Sequence, residues 1–130
     1  MIPLGTSFDL QQIVTQEMTA DKIGSGLLPV LGTPFLVAMM ENAAMQCLQP
    51  YLEEGQGSVG TFMETSHDSP TPIGMKVNVS VEVSNSYAQG KMVEFSIRAF
   101  DEGGIIAKAT HIRAIVDNEK FLSKCTAKLK

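Results

Sequence analysis

The spacing of apolar and polar residues changes character along the chain. From Phe8 to Met18 the apolar residues Phe8, Leu10, Ile13 and Val14 lie close to β-branched Thr15 and Thr19, which predicts an opening strand. Ala20 to Gly32 carries Gly24, Gly26, Pro29 and Gly32 and reads as a loop laid over another element. Thr33 then has the character of a helix N-cap, and Pro34 suits the first helical position. The run Phe35-Leu36-Val37-Ala38-Met39-Met40-Glu41-Asn42-Ala43-Ala44-Met45-Gln46-Cys47-Leu48-Gln49 predicts a helix ending around Gln49, because Pro50 follows. It is apolar on nearly every side, the pattern of a buried helix.

Glu53-Glu54-Gly55-Gln56-Gly57 predicts a turn, and beyond it the period becomes two. Ser58 to His67 reads as a strand. Lys76 to Val83 sets Val77, Val79, Val81 and Val83 on one face, with Asn78, Ser80 and Glu82 on the other. Met92 to Phe100 repeats this with Val93, Phe95, Ile97 and Ala99. Gly90 and Asp101-Glu102-Gly103-Gly104 mark hairpin turns, Ile105 to Val116 is a last strand, and a short helix or tail follows from Asp117. The order strand, long helix, then four antiparallel strands predicts an α+β fold of the hotdog kind, an antiparallel sheet wrapped around one long buried helix.

At 130 residues the length suits a single domain over 1–130, with the tail from about residue 122 peripheral. Hydrophobic residues make up 44% and charged residues 18%, more apolar than an ordinary surface needs. An apolar excess of this kind is covered in a subunit interface or a ligand pocket, so a homo-oligomer is expected. The net charge of −4 argues against nucleic acid as a partner. The basic tail Lys124-Cys125-Thr126-Ala127-Lys128-Leu129-Lys130 reads as a solvated end. The two cysteines, Cys47 and Cys125, and the two histidines lack disulfide-framework or zinc-ligand spacing. The first residues show no basic leader, and Pro34 to Leu48 contains Glu41 and is too short to span a bilayer. The expected setting is cytoplasmic, without membrane partners or a metal.

Several residues are candidates for chemistry. Gly55-Gln56-Gly57-Ser58-Val59-Gly60 matches G-x-G-x-x-G, but a helix precedes it and a strand follows, the reverse of a dinucleotide site. Gly60 is either part of a turn or a place where a thioester approaches the backbone. Glu41 lies among Met39, Met40, Ala43 and Ala44. It either shares a solvent-facing strip with Asn42 or is a carboxylate at a cavity wall, available as general base or nucleophile. His67 ends a strand, as a polar edge residue or a site residue that Asp68 could orient. Capping alone would account for Thr33. Thr33 and Glu41 are separated by ~12 Å of helical rise, so a site holding Thr33, Glu41 and His67 needs two chains. His111 and Arg113 share parity with Ile105, Ala107 and Ala109. Either that face runs from core to a site mouth, or a bulge near Thr110 returns both to solvent. Arg113 could neutralise a phosphate or carboxylate. Phe35, Leu36, Met39, Met40 and Met45 read as core, a share of them lining an acyl pocket.

Three segments resemble the fluoroacetyl-CoA thioesterase-like group of hotdog thioesterases. They are Thr33-Pro34-Phe35-Leu36-Val37-Ala38-Met39-Met40-Glu41, Val59-Gly60-Thr61, and His67 with Thr71-Pro72-Ile73-Gly74-Met75-Lys76-Val77. The similarity runs from about Ala20 to Phe121. It implies a homodimer with two helices against one continuous sheet, and hydrolysis of an acyl-CoA thioester at the dimer interface. It implies Thr33, Glu41 and His67 as catalytic residues, and Gly60 beside the thioester carbonyl. Arg113 would match a basic residue of the last strand, and with Gly60 and Phe35 it completes the expected substrate-binding set. CoA enters as part of the substrate, and no separate cofactor is implied. One departure is specific: the fluoroacetyl-selective enzyme has a phenylalanine gate before its Thr-Pro, where this chain has Leu27, Leu28 and Leu31. That leucine stretch suits a small or medium apolar acyl chain. Two other functions are compatible with these residues: an acyl-CoA-binding hotdog protein without turnover, and a hotdog enoyl-thioester hydratase or dehydratase, whose Asp/Asn-x-His signature is not found.

Overall fold

The computed structural model describes residues 1–130. Five strands form one antiparallel sheet: β1 (Ser7–Ile13), β2 (Gln56–His67), β3 (Lys76–Tyr87), β4 (Met92–Asp101) and β5 (Gly104–Asp117), in the order β1-β3-β4-β5-β2. A one-turn helix α1 (Ala20–Ile23), the central helix α2 (Thr33–Leu48) and a C-terminal helix α3 (Asn118–Thr126) complete the chain. α2 packs chiefly on β3 and β1.

The two alternating strands behave as their sequence predicts. Val77, Val79, Val81 and Val83 of β3, and Val93, Phe95, Ile97 and Ala99 of β4, are buried against Leu36, Met39, Met40, Ala43, Ala44, Cys47 and Leu48 of α2. Each large side chain taken from water contributes about 1.5–3 kcal/mol. Ala43 and Ala44 have no exposed surface, and their small size lets the helix lie close on the sheet. The other side of α2 is open: Pro34, Ala38, Asn42 and Gln46 form an exposed stripe. The central helix is therefore buried on its sheet face only within one chain.

The structure corrects four local expectations. The opening strand stops at Ile13, where Val14 leaves the sheet edge to bond Met75, and Gln16–Met18 is a 3-10 turn. The glycine-rich segment contains α1, ended by Gly24 in the left-handed region at φ 81°. The N-cap of α2 is Gly32, not Thr33. Gly32 is wedged against α1, where a β-carbon would lie 2.6 Å from Ile23 Cδ1 and 3.2 Å from the Ala20 backbone. Thr33 is thus the first helical residue, and its hydroxyl is available for another partner. Finally, Ile105 faces out and Ile106 is buried, because the register between β4 and β5 shifts beyond Ala99, where Ala99 pairs with Ala107 but Phe100 with Ile105.

A second shift matters more for function. β2 pairs Gly60 with Arg113 and Phe62 with Ile112, so Thr61 is an extra residue opposite β5. A bulge of this kind reverses which side chains face inward. Before it Ser58 and Gly60 face α2; after it Met63, Thr65 and His67 do. Of the two alternatives for β5, the bulge near Thr110 is absent: the irregularity sits in the neighbouring strand, and His111 and Arg113 stay inside.

Candidate active site

The candidate residues assemble into two groups. The first joins the start of α2 to the end of β2. Thr33 Oγ1 and His67 Nδ1 share a hydrogen bond of 2.7 Å. The other ring nitrogen, His67 Nε2, is buried and has no hydrogen-bond partner within the chain. Burial pushes the His67 imidazole below its ordinary value, opposed by the Ser69 backbone and the nearby Asp68 carboxylate. Ser66 Oγ donates to Asp68 Oδ2 at 3.0 Å and steadies that carboxylate. Thr33 and His67 line a cleft of about 250 Å³ together with Leu31, Ser69 and Pro70.

The second group lies mid-helix. A β-carbon built at Gly60 would meet Glu41 Oε2 at 2.6 Å, His111 Cε1 at 3.1 Å and Arg113 Nη1 at 3.6 Å. Glu41 is half-buried, which excludes the reading that it simply shares the solvent strip with exposed Asn42. Behind Gly60, His111 is only 1% exposed and Arg113 7%. Arg113 donates from Nε to Ser58 Oγ (2.8 Å), from Nη2 to the Ser58 carbonyl (2.9 Å) and from Nη1 to His111 Nε2 (3.3 Å). His111 Nδ1 lies 2.8 Å from the Phe62 carbonyl, beside the bulge. A carbonyl only accepts, so Nδ1 carries the proton and a neutral His111 leaves Nε2 free to accept from Arg113. Burial and then the Arg113 charge push His111 below the ordinary range, against the Phe62 hydrogen bond and the Glu41 charge. Burial also lowers Arg113, with Glu41 opposing, but a guanidinium keeps its proton.

Phe35 joins neither group. It is on the β1 side of α2, along a groove with Leu10, Gln12, Ala38 and Asn42. Six helical residues turn it about 120° away from Glu41. Arg113, expected to neutralise a phosphate or a carboxylate, makes its hydrogen bonds to Ser58 and His111 inside the protein. Sequence reasoning passed over Ser58, the anchor of Arg113, and the bulge at Thr61. The signal for the bulge was present, as glycine inside a strand often marks one. A hollow of about 910 Å³ along α3 is lined by exposed Glu119, Lys120 and Lys124 and gathers no buried reactive group. No helix is long and apolar enough to cross a membrane.

The sequence profile of a family described as "FlK: Fluoroacetyl-CoA-specific thioesterase" matches residues 14–119. The chain belongs to the fluoroacetyl-CoA thioesterase family. One relative, the fluoroacetyl-CoA thioesterase of Streptantibioticus cattleyicolor, is 36% identical over 99 residues, covering 76% of this chain and 70% of that protein. The solved structure of the fluoroacetyl-CoA thioesterase FlK superposes with a TM-score of 0.93 at 30% identity, over 98% of each chain. A thioesterase-superfamily protein of Thermus thermophilus matches at 0.87 and 28% identity, over 99% of this chain and 93% of that one. Variants of FlK have been solved with acetyl-CoA and with fluoroacetate and CoA. Membership of the fluoroacetyl-CoA thioesterase family makes this protein a thioester hydrolase with a hotdog fold, and decides for hydrolysis over hydration or binding alone.

Proposed function

We propose that this protein hydrolyses a small or medium acyl-CoA to the free acid and CoA, at a site that two copies of the chain complete. The observation that carries this reading is the separation of the two groups: Thr33 and His67 touch, while Glu41 sits with Gly60, His111 and Arg113. A partnerless buried Nε2 on His67 is costly unless something else reaches it. Glu41 of the partner subunit, arriving across a two-fold axis, would bring the missing carboxylate. β2 suits that axis. It is an edge strand of 12 residues, unpaired on one side, with Phe62 46% exposed. Long edge strands of this kind are templates for pairing. Two such edges side by side would make one continuous ten-strand sheet with both helices on one face.

In that site Glu41 supplies the carboxylate that attacks the thioester carbonyl or draws a proton from the attacking water. The carbonyl oxygen gains charge beside Gly60, where the missing side chain leaves room for a backbone N–H to stabilise it. If Glu41 attacks, the C–S bond breaks as the acyl group passes to its carboxylate, and water then hydrolyses the mixed anhydride to the free acid; if it draws the proton from water, the C–S bond breaks as the hydroxyl joins the carbonyl carbon. In either route the water proton ends on the CoA thiolate, with His67 Nε2 as the relay. Thr33 orients the His67 ring through Nδ1. Leu27 and Leu28, 92% and 67% exposed on the segment leading to Thr33, would meet the acyl group at the cleft mouth. Leu31, in contrast, is 2% exposed and lines the cleft from the core side.

Subunit mixing tests the reading. Glu41→Gln and His67→Asn are each expected to abolish thiol release. Unfolded and refolded together in equal amounts, they should recover roughly a quarter of wild-type activity, since half the dimers are mixed and each holds one intact site of two. No recovery, with mixed dimers demonstrated by mass, would overturn the shared site.

A further inference from the structure

The second group contains a residue that the proposed reaction does not use. His111 is buried between the Phe62 carbonyl on β2, the Phe95 ring on β4 (centroids 6.3 Å apart), Arg113 on its own strand and Glu41 on α2. The only charged groups facing it are Arg113 and Glu41. Arg113 and Glu41 are opposite charges in one small space, and a free guanidinium would close on the carboxylate as a bidentate pair. It does not: every guanidinium hydrogen bond goes to Ser58 or His111, and none reaches Glu41.

We infer that His111 is a positioning residue that acts through Arg113, holding the guanidinium near Glu41 but bonded elsewhere, so that the Glu41 oxygens stay free to react. The inference rests on Glu41 being the reactive carboxylate. Ser58 bonds Nε and Nη2 of Arg113; the guanidinium is one rigid plane, and only a tilt of that whole plane toward Glu41 could move Nη1. His111 Nε2 captures it. The ring can do so because the Phe62 carbonyl, at the bulge, fixes the proton on Nδ1. A second proton on the ring would place two N–H groups face to face and release Nη1 toward Glu41. The arrangement keeps a positive field on the reaction centre without a contact that would tie up the nucleophile.

The test compares wild type with His111→Phe, which keeps a ring and removes the acceptor, and His111→Gln, which restores an acceptor near the Nε2 position. Thiol release is measured across acetyl-, butyryl- and hexanoyl-CoA, and kcat and KM are taken on the one that wild type cleaves fastest. His111→Phe should lower kcat about tenfold or more with KM within about twofold, and His111→Gln should recover most of that loss. In an Arg113→Met background, His111→Phe should cost nothing further. Wild-type kcat in His111→Phe, equal losses in Phe and Gln that follow lost thermal stability, or an undiminished loss in the Arg113→Met background would each overturn the inference. Glu41→Gln separates the two levels. If it turns over normally, the proposed site itself is wrong. If it is inactive while His111→Phe is unaffected, only the role of His111 falls.

Discussion

Gly60 and Glu41 face each other with no space for a side chain between them: a β-carbon at Gly60 would lie 2.6 Å from Glu41 Oε2. The glycine sits in a strand beside the bulge at Thr61, and its smallness leaves room for the carboxylate opposite.

Gly60→Ala is therefore expected to separate activity from stability. Glu41 Oε2 is the far end of a flexible side chain and can swing aside at little cost to folding, while the His111 ring, 3.1 Å from the new β-carbon, must give by a few tenths of an ångström. We expect thiol release to fall at least about a hundredfold, as a misplaced reacting group commonly does, with the melting temperature nearly unchanged. A fully active Gly60→Ala protein would show that Glu41 is not held where the reaction needs it.

Thr33 is the one partner seen at His67 Nδ1. Thr33→Val keeps the shape and removes the hydroxyl, while Thr33→Ser keeps the hydroxyl. Loss of one such hydrogen bond costs about 0.5–1.5 kcal/mol. The expected result is a severalfold to tenfold drop in kcat for valine and near wild-type turnover for serine. Equal rates for the two would deny the hydroxyl a part in orienting the imidazole.

Both histidines are held below the ordinary imidazole value, chiefly by burial. The unfolded chain takes up their protons near pH 6.5, and the folded chain only at lower pH. Acid therefore favours unfolding, and stability rises with pH through that interval. Thermal melts should give a plateau above about pH 7 and a falling melting temperature below about pH 6.5, with a shallower fall in His111→Gln. A melting temperature that climbs on acidification would contradict the burial of these rings.

Pairing of two β2 edges makes a prediction about assembly. Thr61→Pro removes a backbone donor at the bulge, and Phe62→Lys puts a charge on the exposed edge; both oppose strand addition. Each is expected to shift the protein to a monomer in light scattering and to abolish thiol release without unfolding the sheet. A monomer with full activity would exclude a shared site.

The layers of the fold were legible because they follow from periodicity. Valines at every second position in β3 and the matching run in β4 each demand one environment, and the structure supplies it; the uncharged stretch from Phe35 to Met40 is buried on its sheet face, with Ala38 exposed. The family was legible as well, since Thr33, Glu41, Gly60 and His67 lie in short contiguous segments. The hydrophobicity of Phe35 says that it packs but not on which side of the helix; the structure puts it on the β1 side.

What the sequence by itself determined is the set of elements, the sheet-on-helix core and the reactive residue types. Only the tertiary structure decided how those residues meet. Gly60 and His67 have opposite parity and in a regular strand would face opposite sides of the sheet. The extra residue at Thr61 turns both toward α2. The shift beyond Ala99 does the same for Ile106 and Ala107, which are adjacent yet both buried. A bulge is a mismatch in length between two paired strands, so it belongs to the pairing and not to either strand. That is why Thr33 meets His67, and Glu41 meets Gly60, in an arrangement that no single segment specifies.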